Sequence, residues 1–202
     1  MKEYIIHGTQ PENLIHILQD GYIDTKPLKK YMTMLKNKPP NQIFTQLVYK
    51  DIPNQKEQIQ HWFSCAIILD KNILKDYPFY ATDIGGFKDK FENGMNENAI
   101  IYGDGNLTKM PNLTKLKNKI NKKMEHNFLG NVEFMHTHEI LFNRKIPLDK
   151  YCIKILIIGN HNNKIMEKII NLGKEKKIII QFRDYIDKNK PINSFINSIE
   201  SN

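Results

Sequence analysis

Apolar residues recur along this chain with two periods, and the periods divide it into strands and helices. Alternating or continuous apolar runs rich in β-branched residues predict strands at 3–7, 43–49, 62–69, 99–102, 132–142, 151–158 and 177–182. The block 62–69 has the unbroken apolar character of a strand central in a sheet. Spacing of three and four predicts helices after Pro11, over 111–127 and near 163–172. In the first, Leu14, Ile17 and Leu18 share a face, Pro11 suits the first turn, and Gly21 stands where a C-terminal cap belongs. In the second, Leu113, Leu116, Ile120 and Met124 form the apolar stripe and lysines lie opposite. Asp70 is placed to cap a helical turn at 71–74. The lysine-rich segment 25–40, ending in Pro39-Pro40, reads as a mobile surface excursion, 53–60 as a polar loop, and Gly85-Gly86 as part of another. Strands dominate the middle of the chain, so the expected class is α+β. We expect one domain over 1–182 and a polar tail over 183–202, with room for a short helix.

Composition narrows this picture only a little. At 202 residues, the chain suits one domain with a substantial core. Its formal net charge of +8 invites an anionic partner. However, 31 isoleucines, 28 lysines and 23 asparagines follow the bias that AT-rich coding produces. Arg144 and Arg183 are its two arginines, and arginine supplies the planar fork for bidentate phosphate and base contacts. Nucleic-acid binding is therefore permitted by the composition without being indicated by it. The lysines of 111–127 read first as a solvated helix face.

Cys65 and Cys152 each lie in an apolar run, without a disulfide framework or a paired-cysteine metal spacing. Lys2, Glu3 and His7 interrupt the one candidate signal-peptide run, and no apolar stretch is long enough to span a bilayer. A soluble protein of the intracellular, cytoplasmic compartment with no membrane partner is expected.

Two places carry candidate chemistry. Ile5-Ile6-His7-Gly8-Thr9 sets a histidine at the end of an apolar strand, beside a glycine that lets a ligand approach the backbone. His136-Thr137-His138-Glu139-Ile140-Leu141-Phe142 sets a carboxylate at the head of an apolar strand, where it is expensive to bury without a partner. Three readings compete. His136 and His138 could ligate a metal, but two ligands without a third are insufficient. Paired His-x-Thr/Ser motifs would suggest a two-histidine phosphodiesterase, but His138 stands where the second hydroxyl residue is needed. In the third reading, His7 and Glu139 face one another across a dinucleotide cleft.

In order and context these segments resemble the ADP-ribosyltransferase fold, in particular the poly(ADP-ribose) polymerase-like branch with its histidine–tyrosine–glutamate triad. His7-Gly8-Thr9, Asn13-Leu14 and Ile17-Leu18 to Gly21 look like the first motif, and Ile43-Phe44-Thr45 is placed like the second. The block 62–69 resembles the long core strand that follows. Glu139-Ile140-Leu141-Phe142, Ile146-Pro147-Leu148 and the run 151–157 resemble the glutamate strand and its successor. The resemblance implies split mixed β-sheets with flanking helices around an NAD cleft. It implies that His7 bonds the nicotinamide-side ribose, Gly8 offers backbone groups to the amide, and Thr9 adds a hydroxyl. Glu139 would bind the ribose and stabilise the cationic transition state. Phe44 stands where the family stacks a tyrosine on nicotinamide, which keeps the aromatic face and loses the hydroxyl, and Tyr49 or Tyr80 could supply that wall instead. Thr137, two residues before Glu139, is neither acid nor amide, unlike the arginine-modifying toxin branch.

The function so implied is NAD-dependent mono-ADP-ribosyl transfer, with NAD as substrate and a protein or nucleic acid as macromolecular acceptor. Phe44 keeps a second reading open, a catalytically silent module on the same fold that binds NAD, ADP-ribose or a related nucleotide. A third, nucleic-acid-directed reading would draw on the lysines of 115–123.

Overall fold

Five consecutive residues, Cys65, Ala66, Ile67, Ile68 and Leu69, are fully buried, which only a strand covered on both faces accommodates. That strand lies inside a sheet with helices on one side and the end of the chain on the other. The computed structural model describes residues 3–27, 41–49, 64–84, 100–102, 114, 118, 136–183, 196, 197, 199 and 200; at 26–27, 41, 80–84, 100–102 and 136–139 it describes the backbone.

The elements run β1 (Glu3–Thr9), α1 (Pro11–Asp20), β2 (Tyr22–Ile23), β3 (Lys26–Pro27), β4 (Asn41–Tyr49), β5 (Cys65–Asp70), α2 (Ile73–Asp76), β6 (Phe79–Ile84) and β7 (Ile100–Tyr102). They continue with β8 (His136–Phe142), β9 (Ile146–Pro147), α3 (Leu148–Tyr151), β10 (Cys152–Ile158), α4 (Asn163–Glu175) and β11 (Ile180–Arg183). Among the described residues the main sheet has the order β11-β10-β5-β1-β4-β8-β6-β7, with β3 also on β4. Every described pairing in it is antiparallel except β10–β11, which α4 connects in parallel. The class is α+β, as the periodicity implies.

Strand alternation sorts the core into two layers. Ile5, Leu47, Cys65, Ile67, Leu69, Ile155 and Ile157 pack with Leu14, Ile17 and Leu18 of α1 and Met166 and Ile169 of α4. On the opposite face, Tyr4, Ile6, Val48, Ala66, Ile68, Leu156 and Ile158 pack with Ile196 and Ile199. Residues beyond 183, expected as a polar tail, thus return two isoleucines to the core. Burial and the adjacent Glu200 carboxylate, which also hydrogen-bonds to it, push the Tyr4 hydroxyl above the ordinary tyrosine range.

The ends of α1 and α4 follow from their sequences. Pro11 occupies the first turn of α1, and Gly21 takes a left-handed φ of 79° while its N–H bonds the Ile17 carbonyl. The Gly21 carbonyl then accepts from the Leu148 N–H at 2.9 Å, which ties this turn to α3. Asn162 caps α4 by accepting from the Lys164 N–H at 2.9 Å. Asp70 accepts from the Asn72 N–H at 2.8 Å and so holds the turn before α2.

Some elements depart from the expected ones. β2 and β9 pair with each other, Tyr22 opposite Pro147, and two-residue strands made by partners so far apart leave no local period. Lys26–Pro27 of the expected excursion forms β3, and its residues 28–40 lie outside the described ones. The loop at 53–60, the Gly85-Gly86 loop and residues 132–135 also lie outside them. Of the helix expected over 111–127, Thr114 and Asn118 are described, both helical and exposed. Among the described residues no helix is long and apolar enough to cross a membrane.

Two outcomes follow from this packing. Ile199→Ala removes a side chain that is 1% exposed, and should cost about 2–5 kcal/mol in chemical denaturation; a change near zero would mean that the chain end is not part of the core. Burial pushes the thiols of Cys65 and Cys152 up to about 12, with the Glu12 carboxylate adding to the effect at Cys65. Both therefore stay protonated at pH 8, and native protein should resist iodoacetamide while denatured protein takes up two equivalents.

Candidate functional site

The strand β4 is shared by two ladders that barely overlap. On one edge Gln46, Leu47, Val48 and Tyr49 pair with Ile6 to Glu3 of β1, while Asn41 and Gln42 at the start of the strand pair with β3. On the other edge Ile43, Phe44, Thr45 and Gln46 pair with Phe142 to Glu139 of β8. The partners β1 and β8 therefore meet across β4 only at Gln46. Beyond Ile6, β1 leaves β4 but stays paired with β5, His7 opposite Ile67, Gly8 opposite Ala66 and Thr9 opposite Cys65. The sheet splits at this point, and the motif His7-Gly8-Thr9 borders the split.

Histidine occupies the split for a physical reason. Its Nδ1 lies 2.8 Å from the Phe44 carbonyl oxygen, on the stretch of β4 that β1 has left. A carbonyl only accepts, so Nδ1 carries the hydrogen of this bond. In the neutral ring Nε2 is then an acceptor. The side chain thus replaces a missing ladder bond and is locked in tautomer and orientation. Gly8 is half-buried and Thr9 is 8% exposed.

Glu139 sits directly across β4 from this edge. Ile6, Gln46, Glu139 and Thr82 form one register row through β1, β4, β8 and β6, and Phe44, Leu141 and Tyr80 form another. Strand alternation puts Gly8, Phe44, Gln46, Glu139 and Tyr80 in one class, and His7, Thr9 and Thr45 in the other. The structure brings His7, Gly8, Phe44 and the backbone positions of Glu139 and Tyr80 to the two borders of one strand, with Gly8 in the alternation class of Glu139 and His7 in the opposite one. It does not bring Tyr49 to them. Tyr49 is 2% exposed, pairs with Glu3 at the far end of β1, and packs in the helix-side core. Burial pushes its hydroxyl well above the ordinary tyrosine range.

One residue that the local pattern did not single out fixes the geometry. The Thr45 hydroxyl, in a residue 4% exposed, donates to the Ile140 carbonyl at 2.7 Å. It fastens β4 to β8 next to Glu139. Its signal is a hydroxyl in the middle of the run Ile43-Phe44-Thr45, where a buried polar atom needs a partner. The far end of β8 is held as well: the Tyr151 hydroxyl donates to Asp76 Oδ2 at 2.6 Å, Lys150 donates to the same oxygen at 2.9 Å, and Tyr77 meets Tyr151 and Phe142 edge-on. Burial first, then the Asp76 bond, raises the Tyr151 hydroxyl above its usual range.

Comparison with solved structures gives this geometry a context. Over 89% of this chain and 94% of the other, the chain is similar to Thermus sp. 2.9 DarT in complex with NAD+, with TM-score 0.50 and 12% identity. Structures of the same protein with carba-NAD+ and with ADP-ribosylated ssDNA give TM-scores of 0.49 and 0.48, each at 12% identity. They cover 92% of this chain and 95% and 94% of theirs. The chain has the ADP-ribosyltransferase fold. No protein-family model and no curated protein sequence matches it. Within the ADP-ribosyltransferase fold, this chain divides its sheet at β4 and sets a histidine on one border and a glutamate position on the other.

The His7 bond has a measurable weight. His7→Phe keeps a ring but removes the donor, and should cost about 1 kcal/mol, or about 2–4 °C in Tm for a chain of this size. His7→Gln, whose amide can donate, should lose less. Equal losses in thermal denaturation would show that the bond to Phe44 does not hold the split.

Proposed function

We propose that this chain is an intracellular NAD-dependent mono-ADP-ribosyltransferase, which cleaves the nicotinamide–ribose bond and moves ADP-ribose to a macromolecular acceptor, protein or nucleic acid. The observation that carries the proposal is the register of β4, which sets His7 and Glu139 on opposite borders of one strand where the sheet splits. The NAD+ bound to Thermus sp. 2.9 DarT, which shares this fold, supports the substrate.

Each residue has a role that its chemistry suits. His7 Nε2 accepts a hydroxyl of the nicotinamide-side ribose, because Nδ1 is committed to the Phe44 carbonyl. Gly8 brings backbone groups close to the nicotinamide amide, since it has no side chain to block the approach, and Thr9 adds a hydroxyl at the same border. As the glycosidic C–N bond breaks, its electron pair moves to the pyridinium nitrogen and neutral nicotinamide leaves. The anomeric carbon becomes cationic, and the Glu139 carboxylate stabilises that charge and holds a ribose hydroxyl. A nucleophilic atom of the acceptor then bonds to that carbon and releases its proton. The pairing of histidine and glutamate, with Thr137 before the glutamate, favours the poly(ADP-ribose) polymerase-like branch, with Phe44 stacking where a tyrosine stands in that branch.

Phe44 also favours a second reading, an NAD or ADP-ribose binding module without turnover, because it lacks the tyrosine hydroxyl. One experiment separates the two. Purified protein with NAD should release nicotinamide, and Glu139→Gln should lower the rate by at least about 10²-fold while the fold and NAD affinity persist. Equal turnover by the two proteins would overturn the role of Glu139. Binding of NAD by calorimetry, with no nicotinamide released over hours, would establish the module.

A further inference from the structure

Within the described residues, the buried polar atoms without a hydrogen-bond partner are Gln42 Nε2 and Oε1, Gln46 Nε2 and Asn143 Oδ1. All belong to β4 or to the residue that follows β8. Gln42 is 3% exposed. Ile43 pairs with Phe142, so Gln42 and Asn143 occupy the next positions along the same two strands. Gln42, Phe44 and Gln46 alternate on β4, in the class that also contains the Glu139 position. On the other side of the same strand, buried Thr45 is satisfied by the Ile140 carbonyl. The orphaned atoms are thus confined to one side.

Such atoms are dehydrated on folding with nothing returned, so they persist where a ligand completes them. Their chemistry defines that ligand. Gln42 presents donor N–H groups beside an acceptor oxygen, Asn143 adds a second acceptor, and Gln46 adds donors on the far side of Phe44. Half-buried Phe44 offers a π-face between the two glutamines. We infer that Gln42, Phe44, Gln46 and Asn143 form a subsite for a planar heterocycle whose edge carries a hydrogen-bond donor next to an acceptor. Gln42 and Asn143 read that edge while the ring lies against Phe44. This inference rests on the NAD reading above, and NAD holds two such edges, the nicotinamide carboxamide and the adenine amino group with its neighbouring ring nitrogen. Both share the chemistry, and the experiment distinguishes them.

The test is Gln42→Met, which keeps the length of the side chain and removes the amide. Its thermal stability is measured without ligand, and its affinity for nicotinamide, adenosine, ADP-ribose and NAD by calorimetry. The ligand-free variant should be at least as stable as the wild type, because an unpaired buried amide has been removed. Affinity for NAD should fall at least about tenfold, along with that for nicotinamide or for adenosine and ADP-ribose, whichever the subsite reads. A less stable variant with unchanged affinities would make the amide structural and overturn the inference. So would a wild type that binds none of the four. If Gln42→Met does not fold, Asn143→Ala is read by the same measurements. Nicotinamide release is followed in parallel. Normal release by a variant with unchanged KM for NAD overturns the subsite alone. Absence of release by the wild type overturns the transferase reading, while the ligand affinities still test the subsite.

Discussion

The bond from His7 Nδ1 to the Phe44 carbonyl, 2.8 Å long, is the point on which the site's architecture depends. Antiparallel strands ordinarily satisfy their facing carbonyls with backbone N–H groups. Here β1 leaves β4 after Ile6, and a side chain takes the place of the backbone donor. The substitution lets the sheet open without abandoning a carbonyl near its middle. It also immobilises an imidazole in one tautomer at the mouth of the opening. Structural need and chemical use coincide in one residue.

The surrounding packing keeps that opening in place. β5 holds β1 on its other edge as far as Thr9, with five buried residues of its own that cannot move without exposing the core. Thr45 fastens β4 to β8 through a buried hydroxyl bond, so the Glu139 position cannot drift along the strand. The Asp76, Lys150 and Tyr151 cluster and the Tyr77 ring contacts anchor the far end of β8. The two exposed partners of that cluster, Lys150 and Asp76, add little to stability by charge alone, and the aromatic contacts matter more.

Local periodicity made much of this legible. The strands β1, β4, β5, β8 and β10 and the helices α1 and α4 follow from their apolar spacing, and Gly21 from its place after Leu18. Long-range choices left no such trace. No local pattern says that β1 and β8 flank β4, or that Tyr22 pairs with Pro147. Tyr49 illustrates the difficulty: an aromatic at the end of an alternating strand suits a ligand wall as well as a core, and only the register with Glu3 and the helix-side packing decide. Thr45 lies inside the expected strand 43–49 and Gln42 just before it, and no local pattern tells that either is buried. Their burial, satisfied in one and unsatisfied in the other, gives them meaning.

The most direct test of the account is a crystal structure of the protein with a non-cleavable NAD analogue. The nicotinamide-side ribose should lie between the His7 and Glu139 borders of β4, with His7 Nδ1 still bonded to the Phe44 carbonyl and Nε2 meeting a ribose hydroxyl. An analogue bound away from the split in the sheet, or a His7 ring turned from Phe44 to reach it, would contradict the account.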